Sequence, residues 1–138
     1  MRVPRSWTFM MSQTDKPATV SLYRPVGAAE LALIEASGFS HFPPRLPDQP
    51  IFYPVLNEDY ATQIARDWNA RYSEPRVGYV TRFRVNSDYL NRYEVHTVGS
   101  AIHQEYWIPA EDLDEFNRNI VGPIEVVARY EGESAKDA

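Results

Sequence analysis

The stretch "FSHFPPRLPDQP", residues 39–50, carries four prolines in twelve positions. Proline has no amide proton to give to a helix or a sheet ladder, and its ring fixes φ. Neither a helix nor an interior strand can run through this segment. It is an ordered loop or a lid, and the regular elements must form on either side of it.

On its N-terminal side, "VSLYR" (20–24) reads as a short strand stopped by Pro25 and Gly27. "AAELALIEAS" (28–37) is rich in helix formers, with Gly38 placed as its left-handed terminator. On its C-terminal side, "IFYPVL" (51–56) reads as a strand with an edge character imposed by Pro54. "NEDYATQIARDWNARY" (57–72) is the clearest helix. Asn57 can cap it, and Glu58 and Asp59 suit the positive end of its dipole. Tyr60, Ile64, Trp68 and Tyr72 recur every four residues beside Ala61 and Ala65, which predicts a buried face. "VGYVTRFRV" (77–85) alternates as a half-buried strand, and "NSDYLNRY" (86–93) reads as a turn with a short helical piece. "EVHTV" (94–98) is a strand ending at Gly99, and a further strand spans about 101–108. "PAEDLDEFNRNI" (109–120) predicts a helix with Pro109 at its first position and Leu113, Phe116 and Ile120 on one face. "PIEVVARY" (123–130) closes the set as a strand. Strands mixed with short helices, without regular alternation, indicate an α+β domain with a mostly antiparallel or mixed sheet.

One domain over 20–131 is expected, flanked by disordered tails over 1–19 and 132–138. The N-terminal apolar patch "WTFMM" is too short for a signal-peptide core, and Met10 or Met11 are alternative starts. A hydrophobic fraction of 43% and a charged fraction of 24% are those of an ordinary soluble globular chain. The chain has no cysteine, which excludes disulfides and thiolate metal sites and points to a cytoplasmic setting. A net charge of −5 argues against general affinity for nucleic acid or an anionic membrane.

The common catalytic signatures are missing. There is no glycine-rich phosphate loop, and no serine sits in a nucleophile elbow. His41, His96 and His103 lack the spacing of metal ligands, so no metal is expected. What remains is Arg24 on the first strand, Phe52 and Tyr53 before the main helix, and His103, Glu105 and Trp107 alternating along a late strand. Alternation puts those last three on one face, as a polar surface or as the floor of a site.

The order of these features, with "LYRPVGAAELALI", "FPPRLPDQPIFYPVLNEDYATQIARDWN", "YVTRF" and "HQEYWIPAEDLDEFNRNIVGPIEV", resembles a family of small bacterial proteins of the ADP-ribosyltransferase fold, described as ADP-ribosylation/crystallin J1-like. The resemblance covers roughly Leu22 to Tyr130. It implies small split mixed or antiparallel sheets with short flanking helices around a cleft that binds NAD as substrate. By position, Arg24 with the neighbouring Tyr23 would contact the cofactor, and Phe52 and Tyr53 would lie by the nicotinamide. Glu105 would be the catalytic carboxylate. The residue two before it helps choose the acceptor, and here that residue is His103, where glutamate or glutamine is usual. His103 is either a general base or a structural histidine. "FYPV" replaces the usual Ser-Thr-Ser. The acceptor is left open between a protein side chain, a small molecule and water. The alternative is an inactive module on the same fold that binds a nucleotide or a protein partner.

Overall fold

The computed structural model describes residues 18–132. Most of the two expected tails lies outside these described residues. The domain is mixed α and β, with antiparallel sheets and several short helices.

Three long strands form its centre. β1 (Thr19–Val26) runs antiparallel to β3 (Val77–Asn86), with partners from Thr19↔Asn86 to Val26↔Tyr79. β7 (Ile120–Glu131) pairs antiparallel on the other side of β3, with register shifts near Val80 and Arg82. β3 is therefore interior, which its β-branched and aromatic content suits. Two smaller antiparallel pairs complete the strands: β2 (Ile51–Phe52) with β6 (Ile108–Pro109), and β4 (Val95–Thr97) with β5 (Gln104–Tyr106).

Val55 joins these pieces. It exchanges both backbone hydrogen bonds with Tyr23, at 2.8 and 2.9 Å, and also bridges Glu105. Beside it, Tyr106 donates to the Pro54 carbonyl and Leu56 to the Gln104 carbonyl. The segment "PVL" is thus not an edge, as Pro54 suggested. It lies between β1 and β5, and Pro54 is accommodated because its carbonyl is the group used there.

The two faces of the sheet are covered differently. On one, Leu22, Val26, Phe83 and Val85 pack with Ile34 of α1 (Ala28–Ala36) and with Phe42, Phe52, Ile108, Leu113 and Phe116. Phe42 lies 5.1 Å from Phe52 and 4.8 Å from Phe83 in tilted and edge-on contacts. Each such buried ring contributes about 1.5–3 kcal/mol by burial. The proline-rich loop is therefore part of the core. The side-chain amide of Asn117 accepts from the Phe42 amide and donates to its carbonyl, at 2.9 and 3.0 Å. Gly38 ends α1 with φ +78°, as its position predicts.

On the other face lies α2 (Glu58–Ile64), capped by Asn57, whose side chain accepts from the Tyr60 amide. The helix continues through a π-helical segment (Ala65–Asn69) and a last turn, α3 (Ala70–Tyr72). The π segment overturns the expected buried stripe. Ala61, Ala65 and Ala70 are the buried positions, while Trp68 and Tyr72 are 62% and 61% exposed. The wider turn rotates the four-residue row off the sheet after Ile64, and small side chains take its place. They let the helix approach the backbone of β3 closely: a Cβ on Gly78 would stand 2.3 Å from the Ala65 carbonyl oxygen.

Three other boundaries differ from expectation. The late strand begins at Gln104 and not at 101, because Gly99 and the Ser100–His103 turn form the tip of the β4–β5 hairpin. The expected helix over 109–120 is shorter. Pro109 belongs to β6, a 3-10 turn follows (Ala110–Asp112), and the α-helix proper is α5 (Leu113–Arg118). α5 ends at Asn119, and Ile120 already opens β7, where Gly122 sits at φ +81° inside the strand. The short helix after β3 is α4 (Ser87–Leu90). Among the described residues, no helix is long and apolar enough to cross a membrane.

Candidate functional site

Bridging of Val55 to both Tyr23 and Glu105 brings the end of β1 near β5 under the flank of α2. A cleft of about 450 Å³ opens there, lined by Arg24, Tyr53, Val55, Ile64, Asn69, Glu105 and Trp107, with Pro25. Arg24, Tyr53 and Glu105, separated widely in sequence, thus line a single cavity.

Glu105 is its most constrained polar group, only 8% exposed. The Tyr60 hydroxyl donates to its Oε1 at 2.8 Å, and the Trp107 indole N–H to its Oε2 at 2.7 Å. Both donors are neutral, so they orient the carboxylate without cancelling its charge. Burial, together with the Glu105 carboxylate it faces, pushes the Tyr60 hydroxyl up to about 12. It therefore stays protonated as a donor at neutral pH.

Each donor is backed by a histidine. His103 stacks on the Tyr60 ring at 4.3 Å and bonds to Gln63 Oε1 at 2.9 Å through Nε2. His96 stacks on Trp107 at 3.7 Å, almost parallel. His103, Glu105 and Trp107 do engage one shared set of neighbours around α2 and β4. His103, however, is not among the cleft-lining residues. Its contacts favour the structural of its two roles: it supports the ring of Tyr60.

Tyr53 and Trp107 are each 41% exposed and meet edge-on at 6.5 Å. They offer apolar ring faces to a planar ligand. Phe52 does not share this role. It is fully buried against Phe42 and Phe116, since alternation along the strand turns it away from Tyr53. Tyr23 is likewise absent from the lining. Its side chain packs beside Val55 and Ala61 on the helix side, the face opposite to Leu22 and Val26.

Arg24 is 11% exposed and bound in a two-pronged ion pair by Glu30 of α1, at 2.7 and 2.9 Å. Its guanidinium also lies over the Phe52 ring, 4.7 Å from the centroid. Its backbone carbonyl accepts from the buried Thr81 hydroxyl.

Several residues of the site carry no site signal in sequence. The four-residue spacing places Tyr60 and Ile64 in a buried stripe, yet Tyr60 orients Glu105 and Ile64 lines the cleft. Asn69 enters because the π segment places it there, and its Oδ1 is buried without a hydrogen-bond partner among the described residues. Arg45 of the proline-rich loop also has a buried, unpaired Nε. Among the described residues, no group of three or more histidines and carboxylates could hold a metal ion.

No protein-family model matches the chain, and neither a curated protein nor a solved structure does.

Proposed function

We propose that the cleft binds a nucleotide and that the protein is an NAD-dependent ADP-ribosyltransferase on an ADP-ribosyltransferase-like fold. One observation carries the reading. A buried carboxylate, oriented by two neutral donors, shares a cleft of about 450 Å³ with Arg24 and with the open rings of Tyr53 and Trp107. This supports chemistry in which positive charge develops on a sugar beside a flat leaving group. The bond between the nicotinamide nitrogen and the ribose carbon breaks, and its electron pair leaves with nicotinamide. Glu105 faces the developing oxocarbenium charge and holds a ribose hydroxyl through a remaining lone pair. Tyr53 and Trp107 face the nicotinamide ring. A lone pair of the acceptor then bonds to the ribose carbon, and the acceptor's proton passes to solvent. The acceptor is a protein side chain, a small molecule or water. The cysteine-free composition leads us to assign this activity to the cytoplasm.

The test is nicotinamide release from NAD by the full chain, followed by chromatography. Release is expected from the wild type and should fall about 100-fold or more in Glu105→Gln, the scale of removing one preorganised electrostatic group. Equal rates would sink the catalytic assignment.

A second reading follows from His103. It is tied to Gln63 and Tyr60, and no histidine lines the cleft to activate an acceptor. The protein would then hold NAD or ADP-ribose without turning it over. Calorimetric binding of NAD with no nicotinamide release supports this reading against the first.

A further inference from the structure

Resemblance assigns a cofactor contact to Arg24, but Glu30 already engages the Nε–Nη2 edge of that guanidinium. A second cation stands nearby. The guanidinium carbons of Arg24 and Arg45 lie over the same Phe52 ring, 4.7 and 5.9 Å from its centroid. Among the described residues Glu30 pairs with Arg24, so the cluster of Arg24, Arg45 and Glu30 carries a net positive charge. Like charges held this close repel, and a buried N–H without a partner costs stability. Arg45 shows both features: its Nε has no hydrogen-bond partner among the described residues. Burial, and next Arg24, lower its basicity, and Glu30 and Tyr53 are near enough to oppose this. Arg45 is not itself a lining residue of the cleft; it stands over the Phe52 ring beside Arg24, which is one.

We propose that Arg45, and not Arg24, is the principal contact of an oxyanion subsite beside the cleft, where both guanidinium groups stand over Phe52. It takes the phosphate or diphosphate group of the ligand, with Glu30 holding Arg24 back as the second arm. An anion here restores the charge balance and supplies the acceptors that Arg45 lacks. The anion's identity as part of a nucleotide rests on the reading given under Proposed function; the subsite itself rests on the two guanidinium groups.

The experiment is calorimetric titration of the full chain with inorganic pyrophosphate at low ionic strength. Wild type, Arg45→Gln and Glu30→Gln are compared. The wild type is expected to bind. Arg45→Gln should weaken binding roughly tenfold or more, the usual effect of losing a charge-assisted contact. Glu30→Gln should bind more tightly, because Arg24 is released and a repelling carboxylate is gone. Absence of binding to the wild type, or equal binding by Arg45→Gln, overturns the proposal. Should Arg45→Gln not fold, Glu30→Gln still decides: affinity no higher than wild type overturns it. The outcome is separable from the catalytic reading. Nicotinamide release that depends on Glu105, without pyrophosphate binding, removes the subsite alone. Pyrophosphate binding that depends on Arg45, with no release, removes the catalysis alone.

Discussion

Tyr60 shows how a single residue couples the site to stability. Its hydroxyl ionises near 12, where an ordinary tyrosine ionises at 10.0, first because it is buried and then because it donates to Glu105. A raised folded-state value means that the folded protein keeps a proton which the unfolded chain gives up earlier. The stabilisation is therefore complete below about pH 10 and is lost as pH rises through about 12. Tyr60→Phe should flatten the fall in Tm across that window. Thermal melts at pH 9, 10, 11 and 12 check this, and an unchanged slope refutes the coupling. Tyr93 is raised too, by burial and by its bonds to Tyr89 and Asp112, so it serves as a reference outside the cleft. Glu105 was legible as a candidate because its strand neighbours alternate. Tyr60 was not, because it reaches Glu105 from forty-five residues away.

At the scale of elements, the contact between α2 and β3 matters most. Alanines on the helix and glycine on the strand bring the two backbones together, and the π segment carries this contact on to Asn69. Gly78→Ala places a methyl carbon 2.3 Å from the Ala65 carbonyl and 2.8 Å from Asn69 Cβ. Backbone cannot yield as a flexible side chain does, so a loss of about 2–3 kcal/mol is expected in urea unfolding. A loss below about 0.5 kcal/mol in that measurement would falsify the close approach. The helix itself was plain from its cap and acids. Its buried side differs from the one the four-residue row predicts, since that row assumes a uniform α-helix and the inserted wider turn leaves no local mark in residue types.

For the whole molecule, the proline-rich loop decides how the cleft relates to the core. It contributes Phe42 inward and presents Arg45 over the Phe52 ring, and Asn117 of α5 pins its backbone from across the chain. Asn117→Ala removes both hydrogen bonds to Phe42 and should cost about 1–3 kcal/mol. Hydrogen exchange at the Phe42 amide should accelerate in this variant, and cleavage within 43–50 by a nonspecific protease should become faster. Exchange at the wild-type rate refutes the pinning role. If the loop loosens while the sheet persists, the anion contact should weaken with it.

Residue order and alternation by themselves determined the class of the fold, the existence of nearly every element, and the shared face of His103, Glu105 and Trp107. These follow from propensity and from the period of two along a strand, which are local properties; the roles of Arg24, Tyr53 and Glu105 are what the family resemblance implies. Tertiary structure alone decided that Val55 sits between two strands, that Phe52 turns into the core while Tyr53 does not reach it, and that Arg24 is already paired. It also decided that the Arg45 Nε is buried without a hydrogen-bond partner among the described residues. Each of these depends on which surfaces meet after folding. A single chain states its side chains and their spacing, whereas charge balance and burial are properties of neighbours that only the folded form brings together.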